Sequence, residues 1–141
     1  MSKNQEVELG EKFLPKFGAD GLIPCVTVDA ETGQVLMVAY MNREALEKSL
    51  ITGRGTYYSR SRNKLWVKGE SSGHVQHVKD MLVDCDQDCL VMKVSAEGGQ
   101  CHAGYRSCFY RRVKPHSAAK DGSLPDLKFI EKKIFDPNKV Y

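Results

Sequence analysis

Hydrophobic residues along this chain fall into short runs separated by polar turns, a pattern that predicts a protein built mainly from β-strands. Residues 22–41 hold two apolar runs on either side of Asp-Ala-Glu-Thr-Gly, which predicts an antiparallel hairpin. Asn42 is a suitable N-cap for a helix that begins directly after this hairpin, and Gly53 or Gly55 should end it. The apolar residues of that helix follow at helical spacing and are Ala45, Leu46, Leu50 and Ile51.

Further strands are predicted in the rest of the chain. The stretch GTYYSRSRNKLWVKGE, residues 55–70, alternates aromatic and basic residues around a central turn and should form two strands. Its basic face would carry Arg60, Arg62, Lys64 and Lys68. Strands are also expected within 74–86, 89–97 and 109–113, and LKFIEKKIF at 127–135 could form a short helix. The predicted fold class is therefore α+β and predominantly β, with antiparallel strands and one or two short helices.

The composition narrows the class of protein without identifying its function. The chain has 141 residues, 41% of them hydrophobic and 28% charged, which fits one globular domain over residues 1–141. No apolar run approaches the roughly 18 residues of a membrane span, and the first residues lack the pattern of a signal peptide. We therefore expect a cytoplasmic protein with no membrane partner. The formal net charge of +3 fits an anionic small molecule at least as well as a nucleic acid.

The segment DCDQDC, residues 84–89, places an acid at every second position. If residues 84–88 are extended, Asp84, Asp86 and Asp88 share one face of the strand. Three converging carboxylates repel each other unless a cation neutralises them, and oxygen ligands favour a hard ion such as Mg²⁺. The alternative is a solvated turn in which the aspartates cap backbone N–H groups.

Five cysteines are an odd number, and in a reducing compartment they should be thiols or metal ligands rather than disulfides. Cys85, Cys101 and Cys108 lack the spacing of structural zinc modules, but three thiolates would hold Zn²⁺ and leave a fourth position for water. Zinc lowers the pKa of such a water toward about 7. The alternative for each thiol is an ordinary buried side chain. His102, next to Cys101, would serve as a general acid or base or as a fourth ligand.

Two stretches of the sequence resemble a known enzyme family. WVKGESSGHVQHVKDMLVDCDQDCLVMKV, followed by CHAGYRSCFYR, resembles phosphoribosyl-AMP cyclohydrolase, and the similarity covers most of the chain. The resemblance implies a metal-dependent hydrolase of histidine biosynthesis that opens the purine ring of N1-(5-phosphoribosyl)-AMP between N1 and C6. It also implies two sets of metal ligands, which are Cys85, Cys101 and Cys108 for zinc, and Asp84, Asp86 and Asp88 for magnesium.

The resemblance further implies an intertwined homodimer that shares its zinc sites. Cys85 would come from one chain, and Cys101 with Cys108 from the other. Many bacteria fuse this enzyme to a pyrophosphohydrolase, but no such domain is expected within residues 1–141. Cys89 is not assigned to a metal and is expected to be a buried thiol.

The implied substrate carries two phosphates and a purine, so basic residues and an aromatic ring should contact it. Trp66 would stack on the base, unless it belongs to the core. The alternative for the charged residues is a solvated strand face. The candidate substrate-binding residues are Arg60, Arg62, Trp66, Lys68, Ser71, Ser72 and Arg106.

Two other functions compete with this hypothesis. The basic and aromatic residues of 55–70 are compatible with a zinc-stabilised nucleic-acid-binding module, but the three aspartates would repel a phosphate backbone. A zinc deaminase is disfavoured because the sequence lacks His-x-Glu and Pro-Cys-x-x-Cys. Without the glutamate of that signature, the candidate proton carrier is His102.

Overall fold

The computed structural model describes residues 2–115 and 120–140, and within them it contains eight strands and three short helices. The predicted class, α+β with mostly β-structure, is confirmed. The strands are β1 (Ile23–Asp29), β2 (Val35–Met41), β3 (Thr56–Ser59), β4 (Lys64–Val67), β5 (Gln76–Val83), β6 (Leu90–Ala96), β7 (Arg111–Arg112) and β8 (Lys128–Phe129). The helices are α1 (Lys3–Leu9), α2 (Arg43–Thr52) and α3 (Pro137–Val140).

The main sheet has four strands in the order β2-β1-β6-β5. It consists of two antiparallel hairpins, β1 with β2 and β5 with β6, as their alternating apolar runs predicted. The hairpins join through a parallel pairing of β1 with β6, in which Cys25 lies opposite Leu90. Among the described residues, the expectation of antiparallel strands therefore holds for every strand pair except this central one. A parallel pair brings together segments that are distant in sequence, so the local pattern could not reveal it.

One face of the sheet forms the core, where β1 and β6 contribute Ile23, Cys25, Leu90, Met92 and Val94. Helix α2 contacts β2 and β3, and it contributes Ala45 and Leu46 to the same core. The hairpin of β3 and β4 adds Tyr57, which packs against Trp66 with 5.0 Å between ring centroids. Burial raises the pKa of the Cys25 thiol to about 12, so this cysteine is a neutral core residue.

Helix α2 begins and ends where its sequence predicted. The side chain of Asn42 accepts a hydrogen bond of 2.8 Å from the backbone N–H of Ala45 and satisfies one free donor of the first turn. Gly53 ends the helix in the left-handed conformation, with φ of +71°. Two of the four predicted apolar positions are exposed, since Leu50 and Ile51 have 52% and 83% of their surface accessible.

The prediction of a helix over residues 127–135 is wrong. Strand β8 occupies 128–129 and pairs with β7, so that Phe129 lies opposite Arg111. The N–H groups of Ile134 and Phe135 donate to the carbonyl of Gly104 at 2.8 and 3.3 Å. These donors bind a distant loop instead of the preceding helical turn, and the segment therefore forms no helix.

The second face of the sheet carries an apolar row that crosses all four strands. Val26 lies opposite both Val38 and Val91, and Val91 lies opposite Leu82. Val38 and Leu82 are 46% and 44% exposed, and the other two are half-buried. This row brings apolar surface of the main sheet to solvent.

Within the described residues, no helix combines the length and apolar character that crossing a bilayer would require.

Candidate functional site

The loop after β6 brings Cys101 and Cys108 together. Backbone hydrogen bonds close this loop between Gln100 and Arg106 at 3.0 Å and between Cys101 and Tyr105 at 3.1 Å. Cys101 is buried at the base of the loop, whereas His102 is exposed next to it. His102 therefore lies beside a thiol in a glycine-containing loop, as the sequence predicted.

Cys108 is fixed against strand β2. Its backbone N–H donates to the carbonyl of Leu36 at 2.7 Å, and the hydroxyl of Ser107 donates to the carbonyl of Val35 at the same distance. Its thiol lies beside the thiol of Cys101. Cys108 is exposed as a residue, but desolvation of its thiol, followed by the charge and hydrogen bond of Cys101, raises the pKa of that thiol to about 12. Two adjacent thiols are suitable ligands for a soft divalent ion, which would displace their protons on binding.

Lys68 lies at the base of the same loop, so the alternative that it belongs to a solvated strand face is wrong. The residue is buried, with 8% of its surface accessible, and its Nζ donates to the carbonyl of Gln100 at 2.7 Å. Burial lowers the pKa of Lys68, while the nearby Cys108 and Cys101 oppose that change. Its contact with a substrate stays a prediction. Its position places a buried ammonium group next to the thiol loop.

The segment of the three aspartates is a turn, so the premise that residues 84–88 are extended is wrong. Asp84 closes the turn because its backbone N–H donates to the carbonyl of Cys89 at 3.1 Å. Its carboxylate also accepts from the N–H groups of Asp88 and Cys89 at 3.0 and 3.1 Å. Gln87 has a positive φ of 59°, which reverses the chain direction. The observed conformation is the capped turn, which was the alternative to an extended strand.

The turn nevertheless brings Asp84, Asp86 and Asp88 together, with ligand oxygens within 4.8 Å of one another and all three residues exposed. Hydrogen bonding to Asp86 and then to Asp84 raises the pKa of Asp88 to about 6. Desolvation acts to raise the pKa of Asp84, but the hydrogen bonds that it receives from Asp88 and Cys89 outweigh it and lower that pKa. One carboxyl of the cluster therefore holds a proton more tightly than usual, as expected where a cation would relieve repulsion.

The three candidate zinc ligands do not meet within one chain. Among residues 2–115 and 120–140, the aspartate cluster is the one group of three potential ligands whose ligand atoms converge. Cys85 precedes β6 and Cys101 follows it, and the seven residues of β6 span about 20 Å. Cys108 is fixed on β2, at the other edge of the sheet from β5. Exposed Cys85 is thus separated from the other two thiols by the sheet itself.

The candidate substrate-binding residues around the β3–β4 hairpin are partly exposed. Arg60 lies with its guanidinium carbon 4.1 Å from the centroid of the Tyr40 ring, and Arg62 is exposed. Trp66 is half-buried and packs on the core, as its alternative interpretation allowed. In the following loop Ser71 is exposed, and the hydroxyl of Ser72 accepts from the N–H of His74 at 3.2 Å. Contacts of these residues with a substrate stay predictions.

Arg106 is engaged with the protein in a way that the sequence did not reveal. Its Nη2 pairs with Asp29 Oδ2 at 2.6 Å, and its Nη1 donates to the carbonyls of Ala96 and Gly98 at 2.8 and 2.5 Å. The guanidinium thus ties the thiol loop to the end of β1, and a substrate phosphate would have to compete with these acceptors. Asp29 was part of the predicted hairpin turn, and no local signal connected it with residue 106.

A buried polar chain supports the same loop and was also missed. Gln76 accepts from the Tyr57 hydroxyl at 2.5 Å and donates to Gln100 Oε1 at 2.9 Å. Both glutamines are almost fully buried. Gln100 directly precedes Cys101, so this chain links the thiol loop to the core. Cys89 was expected to be a buried thiol, but it is only half-buried.

Comparison with known proteins places these motifs in a family. Residues 37–110 match the family model described as phosphoribosyl-AMP cyclohydrolase. Three curated proteins of that name are similar over nearly the whole chain. The protein from Rhodopseudomonas palustris (strain BisB5) is 52% identical over 138 residues, 96% of this chain and 90% of the relative. Those from Methanothermobacter thermautotrophicus and Chlorobium limicola are 53% and 48% identical, covering 96% and 100% of this chain and 94% and 97% of the relatives.

We predict that the substitution Asp29→Asn destabilises the protein at neutral pH. Burial opposes ionisation of Asp29, but the hydrogen bond from Arg106 outweighs it and lowers the pKa of the carboxyl. A carboxyl whose folded pKa lies below its unfolded pKa stabilises the protein above about pH 4, and this contribution disappears as the pH falls through the folded value. The substitution should therefore lower the free energy of unfolding by about 1.5 kcal/mol at pH 7 and by much less near pH 3.

Urea unfolding monitored by circular dichroism at both pH values measures this difference. The control is Glu31→Gln, which removes the same charge from a neighbouring exposed carboxylate and should change stability by less than about 0.5 kcal/mol. Equal losses at pH 7 and pH 3 would contradict the assigned ion pair.

Proposed function

Because the chain belongs to the phosphoribosyl-AMP cyclohydrolase family, we propose that it uses zinc to hydrolyse the N1–C6 bond of the purine ring in N1-(5-phosphoribosyl)-AMP. That ring opening is a step of histidine biosynthesis, and the proposal places the enzyme in the cytoplasm. The chain is an enzyme, as are the relatives that it matches over nearly all of its length. The observation that carries the zinc-dependent reaction is the pair of adjacent thiols beside an exposed histidine.

Cys101 and Cys108 would supply two thiolates to the zinc ion, and Cys85 would supply the third. The donor set fits, because the thiols of Cys101 and Cys108 lie side by side and are readily bridged by a soft ion. When bound with an open position, zinc supplies an activated water for attack on the ring carbon. Lys68 lies close enough to interact with both thiols, so its ammonium would offset part of the negative charge of three thiolates.

Cys85 would come from a second copy of the chain. A single sheet keeps Cys85 apart from Cys101, whereas a two-fold axis that crosses the strands would place the Cys85 end of one sheet beside the Cys101 end of the other. Such a homodimer contains two equivalent zinc sites. The half-exposed apolar row of Val26, Val38, Val91 and Leu82 offers surface for association.

The aspartate cluster would hold magnesium. Its three exposed carboxylates converge within 4.8 Å, and oxygen ligands of this kind suit a hard cation that keeps several waters. Asp84 directly precedes Cys85, so the chain that supplies Cys85 to a zinc site would also bring magnesium near it. A cation at this position would counter the negative charge of a substrate phosphate.

His102 would move the proton that ring opening requires. Attack of water on C6 releases a proton, and cleavage of the N1–C6 bond leaves N1 in need of one. The imidazole next to Cys101 is exposed, so it would be accessible to the attacking water and to the leaving nitrogen. Exposed basic residues of the β3–β4 hairpin, Arg60 and Arg62, would bind the phosphates, and Trp66 would contact the base.

The reaction is tested with chelator-stripped protein that then receives Zn²⁺ and Mg²⁺ separately and together. Ring opening of phosphoribosyl-AMP is followed by ultraviolet absorbance. We expect full turnover only when both ions are present, because each ligand set suits a different ion. A folded protein that holds zinc and magnesium but does not open the ring would contradict the proposal. A stripped protein that turns over without zinc would contradict its zinc dependence.

His102→Asn should lower kcat by about 100-fold or more, because a positioned proton carrier contributes at least that much. KM and zinc content should stay close to those of the parent protein. The matched control is His77→Asn, which changes an exposed histidine of β5 and should leave kcat unaltered. Full kcat in a zinc-loaded His102→Asn enzyme would remove this residue from the mechanism.

The shared site is tested by complementation between two inactive variants. Cys85→Ser and Cys101→Ser are produced together with different affinity tags, and the mixed dimer is isolated through both tags. If the site is shared, one of its two sites keeps all three thiols, and the mixed dimer should show about half of the parent activity. If each chain formed its own site, both sites of the mixed dimer would be damaged and it would stay inactive.

A further inference from the structure

Gln87 stands at the centre of the aspartate turn, yet it differs from its neighbours. It is buried, with 4% of its surface accessible, whereas Asp86 and Asp88 on either side are exposed. Its φ of +59° lies in the left-handed region, which a residue with a long side chain rarely adopts. A conformation of this kind persists only where surrounding contacts hold it.

The contacts that hold Gln87 come from residues 7–16, which we call the N-terminal strap. The backbone carbonyl of Gln87 accepts from the N–H of Lys16 at 2.7 Å. Its side-chain oxygen accepts from the N–H of Leu14 at 2.6 Å. Its side-chain nitrogen donates to the carbonyls of Val7 and Lys12 at 3.0 and 3.2 Å. Both ends of the amide are therefore satisfied by a segment more than 70 residues away in the sequence.

The strap also lies beside the candidate metal ligands. A cleft of about 440 Å³ has Lys12 and Phe13 on its strap side, and Asp84 and Cys85 on the side of the turn. A second cleft, of about 360 Å³, lies between the strap and Asp86. Gln87 is the point at which the strap is bonded to the turn between these two clefts.

We propose that Gln87 is a positioning residue, which through the N-terminal strap holds the turn in the conformation that makes Asp84, Asp86 and Asp88 converge. This role does not require the side chain of Gln87 to contact the metal or the substrate. Its amide anchors the turn to the strap. The role rests on the proposed function, because it assumes that the carboxylates bind magnesium.

The substitution Gln87→Glu separates positioning from charge. It keeps the shape of the side chain but places a carboxylate oxygen against the carbonyls of Val7 and Lys12, so those two hydrogen bonds are lost. The added negative charge lies next to the cluster and by itself would strengthen cation binding. Weaker binding can therefore arise only from a displaced turn.

Isothermal titration of Mg²⁺ into the chelator-treated protein measures this effect. We expect the Mg²⁺ affinity of Gln87→Glu to fall at least tenfold, and that of Gln87→Gly, which loses the side chain but accepts the backbone conformation, to fall as well. The control is Gln34→Glu, which places a carboxylate against Glu131 at the far end of the sheet and should bind Mg²⁺ as the parent does. Affinity in Gln87→Glu equal to or greater than that of the parent would overturn the proposal.

Amide hydrogen exchange in metal-free protein gives a readout that needs neither magnesium nor activity. The N–H groups of Asp88 and Cys89 are bonded to Asp84, so their exchange reports the conformation of the turn. Their exchange rates should be at least tenfold higher in Gln87→Glu than in the parent protein. In Gln34→Glu the rates should be unchanged. Unchanged exchange in Gln87→Glu would overturn the positioning role whatever the enzyme does. A parent protein that binds no Mg²⁺ would instead overturn the magnesium site and, with it, the link from Gln87 to catalysis.

Discussion

The length of strand β6 is the constraint on which this account depends. The strand separates Cys85, in the turn before it, from Cys101, in the loop after it, and pairing with both β1 and β5 holds it within the sheet. A metal holds its thiolate ligands at about 2.3 Å, so one chain cannot supply both ends of a strand to one ion. The proposed chemistry therefore requires association, and the sheet that prevents a site within one chain favours a site between two.

The two ends of β6 differ in the way that their side chains are held. At one end, exposed carboxylates are brought together by a turn that is bonded to the N-terminal strap. At the other end, the thiols of Cys101 and Cys108 are supported by a buried network of amide groups, a lysine and the Asp29–Arg106 pair. The three carboxylates are exposed to water, whereas at the other end Cys101 is buried and Cys108 is exposed.

Much of the fold could be predicted because its signals are local. The Val-rich hairpin follows from its turn residues, and helix α2 follows from its caps, Asn42 and Gly53. All of these residues act on their immediate neighbours. Adjacent motifs also pointed to the thiols and acids as candidate ligands. The conformation of 84–88 could not be predicted, because the contacts that hold Gln87 come from residues 7–16.

The burial of the charged residue Lys68 could not be predicted from the sequence either. Lys68 occupies an alternating strand pattern that suggests exposure, but its ammonium binds a carbonyl 32 residues later. Arg106 was expected to face a phosphate, and its partner Asp29 lies 77 residues away. The segment at 127–135 has an amphipathic appearance, but its N–H groups at 134 and 135 bind the carbonyl of Gly104, which is distant in the sequence. In each case a tertiary hydrogen bond overrides a local preference.

Native mass spectrometry of the zinc-loaded protein tests the central claim, a metal site formed by two chains, most directly. Zinc should be found on the dimer alone, with two ions per pair of chains, and its removal by a chelator should shift the population toward monomer. A monomer that retains one tightly bound zinc ion would contradict the account, because it would show that a single chain can gather the ligands by itself.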